Sequence, residues 1–353
     1  MNVGLVIGSF GRGGTEKYCL SIANELVING YQVAIYILSN NDFDPVKFSQ
    51  FDSRVKLYVN SELSNNFFKQ LLWFRKKLAL DHEIIVGLLN RGNLALPVAR
   101  FKSSTKIIAT RRRAFGFKGK FILHSFLRFF VELSSDLVIY NSKSLKPKGF
   151  FSRTSKFKYI PNFVELPSSV AFKATGIQES KYILTISNLR PEKGLIILSQ
   201  ACEILNSEGH HIRFKIAGDG PLREEIERKI SDGNLPIELL GKVDDTSEYL
   251  ERCLFYVHPS ITEGFSNSIL EAMSFGKMVI STNVGAAADC LGSGDYLVEP
   301  NDPFALAHSI SNYLKTPIKQ IEVIGENNRR RVLDHFSKQS AVKAHLELFE
   351  QLI

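Results

Sequence analysis

Cysteine is scarce: four occur in 353 residues, Cys19, Cys202, Cys253 and Cys290, and no two form a CxxC pair. That spacing supports neither a zinc site nor a disulfide framework and points to buried, reduced thiols. No stretch reaches the ~18 consecutive apolar residues of a membrane span. The opening MNVGLVIGSFGRGG has no basic segment ahead of its apolar run, so it does not read as a secretory signal. Low-complexity tracts and internal repeats are missing as well, which excludes solenoids and propellers. Acidic residues are thin in the first half. Residues 1–165 hold 11 Asp and Glu against 25 Lys and Arg, and the remainder holds 25 against 19. The net charge of +8 is therefore the sum of a basic half at +14 and an acidic half at −6. A half so basic suits an anionic partner: nucleic acid, an anionic membrane surface or a phosphorylated acceptor. Its basic residues match no nucleic-acid recognition motif, which leaves a nucleic-acid-binding protein as the weakest reading.

What is present is alternation. Apolar strand candidates at 2–7, 32–38, 83–89, 106–110, 136–140 and 157–160 are separated for the most part by amphipathic helical patterns, such as 16–29 and 67–80. The alternation restarts with strands at 182–187, 212–217, 237–240, 255–258 and 278–281, each followed by a helical pattern. Such a chain folds as α/β, in two tandem doubly wound, Rossmann-like domains facing a central cleft. The expected divisions are an N-terminal domain at 1–165, a linker at 166–180, a C-terminal domain at 181–337 and a last helix at 338–353 that packs back on the first domain. In open α/β sheets ligands bind outside the carboxyl ends of the strands, and the suggestive loops here all follow strands.

Those loops carry the chemistry. GSFGRGGTEK (8–17) follows the first strand and opens a helix, so its backbone N–H groups can approach a phosphate or sugar. It is not the GxGxxG fingerprint, and no acid ends the second strand, which argues against NAD. NLRPEKG (188–194) places Arg190 and Lys193 where they could meet a diphosphate and stabilise its departure. In AGDGP (217–221), Gly218 and Gly220 permit close backbone approach. EGFSNSILEAMSFG (263–276) sets Glu263 and Glu271 eight residues apart across a loop that becomes a helix. Ser266 or Asn267 is placed to cap that helix and Gly276 to end it. A helix N-terminus suits an anion, and flanking carboxylates can accept hydroxyl hydrogen bonds. His258, between an apolar strand and a proline, reads as structural. Asp42-Phe43-Asp44 has the DxD pattern of a metal site but lies in a polar loop, and no metal is expected. FGFKGKFILHSFLRFFVEL (115–133) interleaves aromatics with Lys118, Lys120 and Arg128, as a basic amphipathic helix on an anionic membrane would.

NLRPEKG, AGDGP, HPSITEGFSNSILEAMSFG, STNVGAAADCL and YLVEPND, with GRGGTEKYCLSIANELVINGYQV, YNSKS and YIPNFVE in the first half, stand in the order and spacing of the retaining glycosyltransferases of family 4. The chain resembles that family, which has the two-domain B fold, over nearly its whole length. The resemblance implies that Glu271 holds the donor ribose and that Glu263 lies beside the transferred sugar, with the Gly264 and Phe265 backbone near its hydroxyls. It further implies that Lys193 binds the diphosphate, that Gly13 and Gly14 close over the donor, and that no metal is bound. Two positions depart from the family pattern. Asn188 stands where the family usually has arginine, and Arg190 is placed to supply that charge. Arg111 stands where many members have histidine, followed by Arg112 and Arg113. An arginine is no base at neutral pH, so Arg111 and Arg112 are expected to bind the acceptor.

The expected activity is transfer of a sugar from a nucleotide-sugar, UDP-linked rather than GDP-linked, to a hydroxyl of a glycan or lipid-linked acceptor in bacterial surface polysaccharide assembly. Glu263, Lys193 and Arg190 would act in catalysis. Asn188, Gly218, Gly220, Ser266 and Asn267 would join the donor site. A cytoplasmic location, peripheral on the inner membrane face, goes with this. A nucleotide-sugar epimerase or a phosphorylase on the same architecture is the nearest alternative.

Overall fold

Strands covered by helices on both faces must be apolar on both faces, and the strands here are. In β1 (Asn2–Ile7) and β2 (Gln32–Ile37) the last five residues are buried. The short β3 (Lys56–Val59) lies at the sheet edge, and β4 (Ile84–Leu88) is buried throughout. With β5 (Lys106–Arg111), β6 (Leu137–Tyr140) and β7 (Phe157–Tyr159) they form a parallel sheet of order β3-β2-β1-β4-β5-β6-β7. The structure is a computed structural model that describes residues 1–11, 14–40, 48–61, 66–78, 82–100, 104–112, 121–146, 156–167, 182–292 and 296–353, with the side chains of 121–126 and 128 excepted. Gly13, Arg113, Asp42 to Asp44, positions 115–120 of the aromatic segment and nearly all of the expected linker fall outside those residues.

The helices of this sheet are α1 (Gly14–Ile28), α2 (Phe67–Lys77), α3 (Leu89–Arg100) and α4 (Phe121–Ser134). Phe74 of α2, Ala95, Leu96 and Ala99 of α3 and Val131 of α4 belong to one core cluster with Tyr36, Ile85 and Ile107 of the strands. These three helices therefore form one layer, and right-handed crossover places α1 on the other face, because β1 to β2 runs the opposite way along the sheet.

The second sheet repeats the plan. It contains β8 (Tyr182–Ile186), β9 (Arg213–Ala217), β10 (Ile237–Gly241), β11 (Tyr256–His258), β12 (Val279–Thr282) and β13 (Leu297–Val298), in the order β10-β9-β8-β11-β12-β13. One face is covered by α5 (Leu195–Ser207) and α6 (Arg223–Asp232), the other by α7 (Ser247–Arg252), α8 (Asn267–Ser274) and α9 (Ala287–Leu291). Then α10 (Pro303–Leu314) joins the α5 face and α11 (Ile318–His335) the α8 face, and α12 (Lys338–Glu350) follows. The chain divides into two units, Met1–Asn162 with Gln339–Ile353, and Phe163–Lys338. In both sheets the strand order reverses beside the first strand, between β1 and β4 and between β8 and β11. Such a reversal opens a crevice at the carboxyl ends of the two strands.

Three details differ from the sequence expectation. β3 and β13 are edge strands of four and two residues, too short to show a period. The expected strand at 83–89 stops at Leu88: Leu89 takes φ 61° and α3 begins at once. A left-handed leucine costs roughly 1–2 kcal/mol. The tight strand-to-helix turn it allows is completed by Gly92, where a Cβ would stand 2.2 Å from the Val6 carbonyl oxygen of β1.

Candidate functional site

Backbone-to-backbone packing builds the site in the second unit. The loops after β8, β9, β11 and β12 all leave the carboxyl end of the sheet and touch through glycines. Gly194 has φ 67°, and a Cβ there would lie 1.9 Å from the Pro259 carbonyl oxygen of the β11 loop. Gly285, φ 58°, brings the β12 loop against Glu263 and Gly264, whose carbonyl oxygens would each be 2.6 Å from an added Cβ. Gly218 and Gly220 pack in the same way on Ser187 and Leu189. Hydrogen bonds stitch the contacts: Leu189 N to Asp219 O (3.1 Å), Leu222 N to Leu189 O (3.0 Å) and Ile261 N to Glu192 O (2.9 Å). Side chains larger than hydrogen would push these loops apart, so the glycines of three separate motifs serve one purpose.

The reversal between β8 and β11 then decides which side chains meet. Pro191–Lys193 makes one 3-10 turn after β8 and delivers Lys193 toward the β11 loop. There its amine donates to Glu263 Oε2, and both side chains are mostly buried. Glu263 Oε1 also accepts from the Gly264 N–H at 3.3 Å. Beneath the pair lies His258, the last residue of β11, 2 % exposed, with Nε2 3.8 Å from Glu263 Oε2. Burial, and then the Lys193 charge, push the imidazole pKa down to about 3, so it is neutral at physiological pH. Asn188 and Arg190 are exposed on the same loop, and among the described residues Arg190 has no ion-pair partner.

Ser266 occupies the N-cap of α8 with no cap hydrogen bond from its side chain; its Oγ lies 3.0 Å from Ser268 Oγ instead. Helix capping is thus left to other groups or to a ligand. Gly276, φ 65°, closes the helix as expected. Glu271 is half-buried one turn into α8. Tyr256 of β11, which the sequence reading passed over, ties these parts together: its hydroxyl donates to Ser268 Oγ (2.8 Å) and lies 3.2 Å from Ile186 O. Burial raises its pKa, and the charges of Glu271 and Glu263 raise it further, so both carboxylates bear on one point. A phenol two residues before His258 inside an apolar strand was the signal available for it. The Phe265 ring turns away and packs on Phe336 at 6.4 Å, leaving only the backbone of Gly264 and Phe265 for a ligand.

Gly14, Arg111 and Arg112 belong to the first unit. Gly14 starts α1. Arg111 is paired through Nε and Nη2 with both oxygens of Glu132 at 2.5 Å and donates Nη1 to Leu145 O at 2.9 Å. Arg112 is buried over the Tyr18 ring, 3.4 Å from its centroid, and donates to Asn162 Oδ1 at 2.9 Å. Tyr18 in turn bonds His345 Nε2 on α12. Arg111 and Arg112, expected on the acceptor side, both have partners within the first unit. Both guanidinium groups are engaged in holding the unit together, because a buried cation needs local partners. Among the described residues no three His, Cys, Asp or Glu side chains converge as a metal site would require.

Residues 180–316 match the family model described as glycosyl transferases group 1. An uncharacterized glycosyltransferase of Haemophilus influenzae is 26% identical over 296 residues, 80% of each chain. A Campylobacter jejuni N-acetylgalactosamine-N,N'-diacetylbacillosaminyl-diphospho-undecaprenol 4-alpha-N-acetylgalactosaminyltransferase is 24% identical over 339 residues, 89% of this chain and 90% of its own. Among solved structures, Anabaena HepE in complex with UDP and glucose superposes with a TM-score of 0.81 at 17% identity, over 99% of this chain and 100% of its own. These structural neighbours have the two-domain B fold expected from the sequence.

Proposed function

We propose that the chain, whose residues 180–316 match the glycosyl transferases group 1 model, is a glycosyltransferase that moves a sugar from a UDP-sugar to a hydroxyl of a glycan or lipid-linked acceptor with retention at the anomeric carbon. The observation that carries this reading is the Lys193–Glu263 pair at the strand-order reversal, flanked by Arg190, Glu271 and the start of α8, where Ser266 makes no side-chain cap hydrogen bond. Positive charge from Lys193 and Arg190 meets the diphosphate as the bond to the sugar breaks, a task that in other sites falls to a metal ion. The reading calls for no metal or other cofactor. The Glu271 carboxylate accepts from the ribose hydroxyls. Glu263 and the N–H groups of Gly264 and Phe265 face the sugar. No protein nucleophile is required if the departing phosphate oxygen takes the acceptor proton on the same face.

HepE bound to UDP and glucose supports the choice of donor, and the diphospho-undecaprenol substrate in the Campylobacter relative's name supports a lipid-linked acceptor. Together with the basic first half, these favour assembly of a bacterial surface polysaccharide such as capsule or lipopolysaccharide, at the cytoplasmic face of a membrane. Among the described residues no helix is long and apolar enough to cross one, so the association is peripheral in this reading. The test is incubation with radiolabelled UDP-sugars and an acceptor extract. Free UDP with labelled acceptor supports the reading. An isomerised nucleotide-sugar without transfer would point to an epimerase instead.

A further inference from the structure

We propose that the first unit docks on an anionic lipid surface through the outer side of its α2–α3–α4 layer, with Phe68 and Leu72 of α2 and Phe129, Phe130 and Leu133 of α4 as the apolar contacts. The proposal deepens the membrane part of the preceding reading and rests on it.

The layer is amphipathic in the wrong sense for a helix layer that faces only water. On α2, Gln70 and Phe74 are buried, while Phe68 and Leu72 are 68 % and 51 % exposed. Each exposed residue sits two positions before a buried one, about 200° around the helix, so the pair points directly away from the core. On α4, Val131 is buried, and Phe129, Phe130 and Leu133 are 42 %, 49 % and 55 % exposed. Because Phe74 and Val131 share one core cluster with α3 between them, both apolar edges lie on the same outer side. Single exposed hydrophobics need no explanation, but five on one helix layer do.

Charge selects the occupant. Neither α2 nor α3 contains an acidic residue. Lys69, Arg75, Lys76 and Lys77 on α2 are all exposed, while Arg100 at the end of α3 is paired with Asp136 at 3.2 Å. The layer's one carboxylate, Glu132, is buried and neutralised by Arg111. On the other side of the unit the charges balance: α1 carries Glu16 and Glu25 with Lys17, and α12 carries Lys338 and Lys343 with Glu347 and Glu350. A face both apolar and, among the described residues of α2, basic matches a surface with an anionic, hydrated exterior and an apolar interior. A protein partner would need a matching acidic groove; a lipid surface needs only charge and depth.

The test is flotation of the full chain with phosphatidylcholine vesicles and with phosphatidylcholine vesicles containing phosphatidylglycerol. Binding should require phosphatidylglycerol and fall at raised salt. Phe68→Ser/Leu72→Ser should lower the bound fraction about 10-fold or more, with Phe129→Ser/Phe130→Ser acting in the same direction. Phe304→Ser, 73 % exposed on the second unit, should leave binding unchanged. All five positions are solvent-facing, so a melting temperature within a degree or two of the parent separates lost docking from unfolding. Absence of binding to either vesicle overturns the membrane assignment, and full binding by both double variants overturns this face. Transfer to a water-soluble acceptor is measured alongside. Its loss with vesicle binding intact counts against the catalytic reading and not against the docking face.

Discussion

Lys193 and Glu263, 70 residues apart in the chain, form an ion pair that exists only because β8 and β11 are neighbours in the sheet. Each is the other's counter-ion while the site is unliganded. In the proposed reaction the diphosphate displaces Glu263 from Lys193, and the released carboxylate is then free to accept from the sugar. Recognition of the two ends of the donor is thereby linked through one side-chain contact.

Substitutions at the two ends of this pair should separate. Lys193→Ala is expected to weaken UDP binding about 10- to 100-fold, the worth of a charge-assisted hydrogen bond. Glu263→Gln should bind UDP at least as tightly as the parent, since Lys193 no longer has a competing partner, while kcat falls about 100-fold or more. Calorimetry with UDP and initial-rate kinetics measure both. An unchanged kcat in Glu263→Gln would remove Glu263 from the reaction.

Glu271→Ala tests the ribose assignment. Loss of a carboxylate that accepts from donor hydroxyls should reduce nucleotide affinity by about 10- to 100-fold, and the thermal shift given by UDP should shrink with it. A full UDP shift in this variant would assign the carboxylate to α8 stability alone.

Gly194→Ala and Gly209→Ala form a matched pair. Gly209 has φ 84° with open space around it, so alanine there carries only the left-handed penalty, about 1 kcal/mol. Gly194 adds an overlap with the Pro259 carbonyl at 1.9 Å, and its alanine should cost about 3 kcal/mol or more together with UDP binding. Urea unfolding gives both values. Equal costs would mean that the β8 and β11 loops do not depend on this contact.

Arg111→Ala should destabilise by about 3–5 kcal/mol, because it leaves the buried Glu132 carboxylate without its cation. Arg111→Met with Glu132→Leu should recover most of that loss and retain transfer activity. If Arg111 instead contacts acceptor, the double variant will fold well and show a raised acceptor KM.

Stability should fall on acidification through two buried histidines. Folded His345 has its pKa lowered to about 4 and His258 to about 3, both mainly by burial, against 6.5 when unfolded. Between about pH 6.5 and those folded values the unfolded chain binds more protons, so unfolding becomes easier as pH drops. Urea midpoints at pH 7.5, 6 and 5 should decline steadily. His345→Gln should flatten that decline at some cost at neutral pH, since Tyr18 loses its partner.

Much of the fold was legible because its signals are local. Apolar runs of strand length, helical periods between them and glycine turns at strand ends are each written in consecutive residues, and they gave two parallel α/β units. The N-cap of α10 is of this kind: Asp302 accepts from Ala305 N at 2.9 Å and Pro303 follows it, a helix start written in adjacent residues. Edge strands β3 and β13 escaped because two to four residues hold no period, and Leu89 escaped because a leucine gives no sign that a turn will force it left-handed.

The site divides along the same line. Sequence by itself determined which chemical groups each loop offers: Lys193 and Arg190 after one strand, Glu263 and Glu271 around another, glycines at the turns. Only the tertiary structure decided which of them meet. Strand order, a long-range property, set Lys193 on Glu263 and put His258 and Tyr256 beneath. It also turned Arg111 toward Glu132, because a partly buried cation goes to the nearest carboxylate, and no local pattern records which one that will be.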